Sequence, residues 1–186
     1  MKITLNKYLP LAVISLIPFA SEAAPTVTFQ GEVTEQTCTV DINGTTNAVV
    51  LLPTVSVKDF GATLAASQTA GLTPFKVTVS GCTAGSSDTA LTTNFLGYNV
   101  DTTYGVLGNT LTGANAATGF GIQLLNGGTS GSTAIALNGV TGVTGLVLPA
   151  GENTASYEFG AQYFSLGSAG TPGKITSVAE YSISYL

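Results

Sequence analysis

The sequence has no histidine and no tryptophan, and charged residues make up only 8% of it. Its five cations are Lys2, Lys7, Lys58, Lys76 and Lys174, so arginine is absent as well. Each gap excludes a class of chemistry. Without histidine, a general base near neutral pH has to be a carboxylate or a lysine. Without clustered cations, no groove can be built for nucleic acid or for anionic lipid. The lack of tryptophan removes the broadest aromatic platform on which a sugar ring could stack. Two cysteines and no histidine leave no ligand set for a structural metal. Also missing are a long helical pattern, a linker rich in proline or serine, a charge run and a repeat of fixed period.

What is present begins with a leader. Lys2 and Lys7 form a charged start, Leu9 to Ala20 is apolar, and Ser21-Glu22-Ala23 supplies small residues for cleavage. The apolar run of 12 residues, interrupted by Pro10 and Pro18, falls short of the roughly 20 that span a bilayer. A signal peptide over 1–23 is expected, with the mature chain starting at Ala24 and carrying no membrane anchor. Lys58, Lys76 and Lys174 then face nine acids, a net charge of −6. In an exported chain Cys38 and Cys82 are expected to form a disulfide.

The mature chain suits one all-β domain. Phe75 to Val79 alternates apolar and polar residues and leads into Cys82. Further strands are expected over Ala48 to Val57 (broken at Pro53), Ala90 to Val100, Phe120 to Leu125, Thr133 to Leu137 and Ser156 to Phe164, with a closing strand from Lys174. Asp59 to Gly71 reads as a short helical turn or an extended edge with a loop. Gly142 to Ala150 reads as a surface strand and turn, and Gly105 to Gly121, with five glycines, as a flexible connection rather than a phosphate cradle. Asn43-Gly44, Asn126-Gly127-Gly128 and Asn138-Gly139 mark turns. Short strands with glycine-rich turns at this spacing point to a β-sandwich. The glycosylation sequon Asn43-Gly44-Thr45 overlaps one of the turns.

Asp41, Asp59, Asp88, Asp101, Glu152 and Glu158 are scattered, and none forms a recognisable pair with a nucleophile. Structural or solvating roles are expected for them, and the chain reads as a protein that is not an enzyme.

The two ends carry strands of unusual clarity. Val27, Phe29, Gly31 and Val33 alternate with Thr28, Gln30, Glu32 and Thr34, and Tyr181, Ile183 and Tyr185 alternate with Glu180, Ser182 and Ser184. Termini fray unless tied into a sheet. Two such ends suggest strands held in place, one of them by another subunit. Gly31 interrupts an otherwise apolar face, as a close backbone approach requires.

With these segments in place the chain resembles the pilins of chaperone–usher fimbriae, the type 1-like fimbrial subunit family. The resemblance rests on Thr28-Phe29-Gln30-Gly31-Glu32-Val33, Cys38-Thr39-Val40-Asp41, Gly71-Leu72-Thr73-Pro74-Phe75 and Gly81-Cys82. Ile122-Gln123-Leu124-Leu125, Ala161-Gln162-Tyr163-Phe164, the penultimate Tyr185 and Gly173, 14th from the end, complete it. It implies an incomplete immunoglobulin-like sandwich that lacks its last strand and is completed by a donor strand from a neighbouring subunit. On that resemblance, 24–36 is a donor-strand extension and 37–186 the pilin domain. Val27, Phe29, Gly31 and Val33 would insert into a neighbour, while Gly173, Tyr181, Ile183 and Tyr185 would edge the acceptor groove where a chaperone docks. The implied partners are a periplasmic chaperone, an outer-membrane usher and neighbouring pilins, with no cofactor. The implied path runs through the periplasm to a surface fimbrium that supports cell adhesion. A minor adaptor or terminator subunit, or a secreted carbohydrate-binding sandwich, are the alternative readings.

Overall fold

The structure, a computed structural model, describes residues 38–185. The expected leader (1–23) and donor extension (24–36), with Val27, Phe29, Gly31 and Val33, lie outside the described residues. The chain divides into Met1–Gly31 and Glu32–Leu186, and the fold below belongs to the second unit.

Two antiparallel sheets face each other. The larger contains β1 (Thr39–Ile42), β2 (Thr69–Ser80), β4 (Val100–Asp101), β5 (Val106–Gly108), β6 (Phe120–Asn126), β7 (Thr133–Ile135) and β9 (Thr154–Ser165). Its order is β1-β2-β9-β6-β5-β4, with β7 also paired to β6. The smaller sheet contains β3 (Thr89–Gly97), β8 (Thr141–Leu148) and β10 (Ala179–Ser184) in the order β10-β3-β8. The period-two pattern explains which residues go inside: Phe75, Val77 and Val79 on β2 are buried while the residues between them are not. Phe159 of β9 sits at the centre. It stacks on Phe75 with ring centroids 5.8 Å apart and meets the edge of Phe95 from the opposite sheet at 5.3 Å. That aromatic contact joins the two layers.

Cys38 and Cys82 are bonded, tying the start of β1 to the end of β2 across a separation of 44 residues. Asn43-Gly44 closes a tight hairpin, with φ of 50° and 84° and reciprocal backbone hydrogen bonds between Ile42 and Thr45. Positive φ at both central residues is what a turn of this hand demands, hence asparagine followed by glycine.

Four expectations are corrected. Ala48–Val57 is no strand: its side chains alternate, but it joins no ladder, and it runs into a 3-10 turn at Val57–Phe60 capped reciprocally by Ser56 and Asp59. Gly105–Gly121 is not simply a flexible connection, because Val106 and Leu107 are buried and make β5 part of the large sheet. Gly142–Ala150 contributes more than a surface strand, since Val143, Leu146 and Leu148 of β8 are core residues. The closing ladder starts at Ala179 rather than Lys174, because β3 ends at Gly97 and the Tyr98 N–H bond to the Val178 carbonyl extends the pairing by just one rung.

Candidate functional site: an open apolar groove

β10 is an edge strand: β3 flanks it on one side, and no strand among the described residues flanks it on the other. Facing that open edge is the extended segment 48–57. Ala48, Val50 and Leu52 turn inward onto the core, while Val49 and Leu51 are 78% and 82% exposed. Among the described residues, no backbone hydrogen bond engages residues 48–55. Two strand-like stretches thus run along a gap, and among the described residues no strand pairs with either of them on that side. Unpaired edges of this kind are templates for another chain.

The gap is a groove made of two adjoining cavities. One, of about 480 Å³, lies between Ala48–Leu52 and Ser177–Tyr181 over a floor that includes Phe75, Phe95, Ile122 and Leu124. The other, of about 550 Å³, continues between Val55–Val57 and Gly173–Thr176 over Phe60 and Phe120. Tyr163, Ile175 and Thr176 line both. Among the described residues Lys174 is the one charged residue on either lining. An apolar trough of this length cannot be filled by water without cost, and its walls offer main-chain donors and acceptors rather than catalytic groups.

The residues singled out from the sequence fall at different points along this groove. Tyr181 lines the smaller cavity, and its hydroxyl donates to the Thr46 carbonyl at 2.7 Å, linking the two walls at one end. Burial, aided by the nearby negative charge of Asp41, raises its pKa above the usual tyrosine value, so the hydroxyl keeps the proton it donates. Burial raises the Tyr163 pKa in the groove floor too. Gly173 lines the larger cavity. A Cβ there would stand 2.5 Å from the Ala117 nitrogen and 2.8 Å from the Asn115 carbonyl oxygen, so a side chain would collide with backbone. Ile183 and Tyr185 continue the inward alternation of β10 but pack on the cluster around Val79, Cys82 and Leu91 rather than on either cavity. The wall 48–57 was not among the residues assigned to the groove from sequence. Its signal was the alternation Ala48-Val50-Leu52, which reads equally well as an ordinary paired strand.

Among the described residues no group of three or more histidine, cysteine or acidic side chains could hold a metal. The four aspartates of the described region instead hold turns and loops: Asp41 accepts from the Gly44 N–H, Asp59 from the Ser56 N–H, Asp101 from the N–H groups of Thr103 and Tyr104, and Asp88 from the Ala150 N–H, while Glu180 accepts from the Tyr98 hydroxyl.

The model of the family described as Fimbrial protein matches residues 27–186. The chain is 35% identical over 175 residues to the major fimbrial subunit SMF-1 of Stenotrophomonas maltophilia, an alignment covering 92% of this chain and 99% of that protein. It is 32% identical over 161 residues to the F17 fimbrial protein of Escherichia coli, covering 86% of each. Among solved structures, the P pilus rod subunit PapA superposes with a TM-score of 0.56 at 15% identity, covering 80% of this chain and 99% of that one. At that identity the likeness speaks for the fold, an incomplete immunoglobulin-like sandwich.

Proposed function

The chain belongs to the fimbrial protein family, and from that premise we propose that it builds a fimbrial shaft by accepting a neighbour's strand in the groove between 48–57 and 172–181. It is a fimbrial subunit, a pilin of the chaperone–usher type, and its place is a surface fimbrium made with other subunits. The observation that carries the finer reading is an apolar groove flanked by two backbone edges that have no partner strand among the described residues. An inserted strand would bond to both walls through its main chain and place alternate side chains on the floor, which is strand addition. The segment with the matching pattern is Val27, Phe29, Gly31 and Val33 of the next copy. An uncovered groove would aggregate, so a periplasmic chaperone occupies it before an outer-membrane usher passes the subunit on. The chaperone contacts β10 through Tyr181, Ile183 and Tyr185. The leader 1–23 sends the chain into the periplasm, and the role is structural, with no reaction catalysed. The similarity to a major subunit favours the shaft over an adaptor or terminator.

The test is to express Phe29→Asp and Gly31→Leu with chaperone and usher and to count surface filaments by electron microscopy. Phe29→Asp places an unpaired charge in the neighbour's groove, at a cost of several kcal/mol. Both variants are expected to fold, to form the disulfide and to fail in assembly. Filaments at wild-type density from both would overturn the reading.

A further inference from the structure

Among the described residues the wall formed by 174–178 has no ladder partner, yet it is held in place, and one side chain bonds it at two points. Asn109 follows β5 and is half-buried. Its amide nitrogen donates to the carbonyls of Ala117 (3.0 Å) and Lys174 (2.9 Å). Its amide oxygen accepts from the backbone N–H of Leu111 (3.0 Å) and of Thr176 (2.9 Å). The four bonds use the side chain's full usual capacity as donor and as acceptor. Two of them join the 109–117 loop to the wall on either side of Ile175, a residue that lines both cavities. The Asn109 carbonyl in turn accepts from the Asn99 side chain at 2.9 Å, which anchors the clamp to the turn between β3 and β4.

We propose that Asn109 is a positioning residue for strand capture: it holds the 174–176 wall in its groove-lining conformation before any strand arrives. This rests on the strand-addition reading above. The physical ground is preorganisation. A backbone segment without ladder partners loses conformational entropy when an incoming strand orders it, and a wall already fixed by its own side-chain clamp has lost it beforehand. Thr110 adds to the same hold through its N–H and hydroxyl, both bonded to the Thr176 carbonyl at 2.7 and 2.9 Å. The bonds of Lys174 and Thr176 all go to residues 109–117, so the clamp does not engage the backbone groups of Ile175 between them.

The experiment uses the mature chain purified from periplasm with its chaperone and a synthetic peptide of residues 24–36 as probe. Asn109→Ala is expected to capture the peptide on the order of tenfold more slowly, the change that ~1.4 kcal/mol of lost preorganisation produces. Once captured, the peptide should leave at the wild-type rate, and hydrogen exchange should quicken at Thr176 and Ala117 but not in β2 or β9. Thr110→Ala, an exposed position that removes one bond to the same wall, should fall between Asn109→Ala and wild type. If Asn109→Ala does not fold, the Thr110→Ala rate decides. Wild-type capture rates in the folded variants, or equal acceleration of exchange across the whole domain, would overturn the clamp. A wild-type chain that captures no peptide would instead overturn the strand-addition reading itself.

Discussion

The two walls of the groove are opposites. Residues 48–55 have no backbone hydrogen bond among the described residues, and side-chain packing of Ala48, Val50, Leu52 and Val55 keeps them against the core. Residues 174–178, all but Ile175, are bonded to the loop 108–117 or to Tyr98. Packing without hydrogen bonds leaves a segment free to slide, because apolar contact is non-directional. Hydrogen bonds fix position and register because they are directional. The lesson is one of division of labour. On the strand-addition proposal, the 174–178 wall would set where an incoming strand lies, and the 48–55 wall would adjust to the side chains that strand brings.

The sharpest way to break this contrast acts on the looser wall. Replacing Cys38 and Cys82 together by alanine frees the start of β1 from the end of β2, next to the hairpin that leads into 48–55. A closed loop of this length is worth about 4 kcal/mol as an entropic restraint on the unfolded chain. Urea denaturation of the chaperone-released subunit should show a loss of that order, and 48–55 should exchange faster than 174–178.

Gly173→Val attacks the held wall at its far end. The new side chain collides with the backbone of 115–117 and must break the reciprocal bonds of Lys174 with Asn115 and Ala117. A loss of about 1–3 kcal/mol is expected, as for overpacking, with the damage confined to this wall. Loss of protection at Ala117 with an undisturbed Tyr181 environment is the outcome to look for by nuclear magnetic resonance.

The smallest effect comes from a hydrogen bond that ties β10 to the segment just before 48–55. Tyr181→Phe removes the bond to the Thr46 carbonyl and should cost about 1 kcal/mol. Burial of Tyr181, with the nearby negative charge of Asp41, gives a pH dependence of known sign. The folded-state pKa of Tyr181 is raised, so its contribution is fully present below the ordinary tyrosine range and disappears as pH climbs through the folded value. Tyr163 shifts in the same direction through burial in the groove floor. Phenolate absorbance should therefore lose one late-titrating tyrosine in Tyr181→Phe, while Tyr163 still titrates late. Loss of an ordinary rather than a late transition on that substitution would count against the buried, bonded Tyr181.

Much of this was legible beforehand. The alternation Phe75, Val77, Val79 placed β2, and Tyr181, Ile183, Tyr185 placed β10, because period two names a buried face directly. The cysteine pair was legible from export and from count. Ala48–Val57 misled for an instructive reason. Its alternation correctly marked an inward face, but the same pattern is written by a strand with neighbours and by one without. Asn109 carried no signal either, since an asparagine before Thr110 and Leu111 reads as a loop residue until the partners from 117, 174 and 176 are brought to it.

The sequence by itself determined which side of each segment is apolar, which residues can bend the chain, and that the chain has few groups with which to do catalysis. Side-chain chemistry sets all three, and each residue carries its own. Only the tertiary structure decided which backbone edges remain unpaired, that 173 must accommodate the backbone of 115–117, and that Val106 and Leu107 complete a sheet. The reason is that main-chain donors and acceptors are alike at almost every residue. Which of them finds a partner depends on what lies beside it in space, and on both sides of this groove nothing in the described chain does.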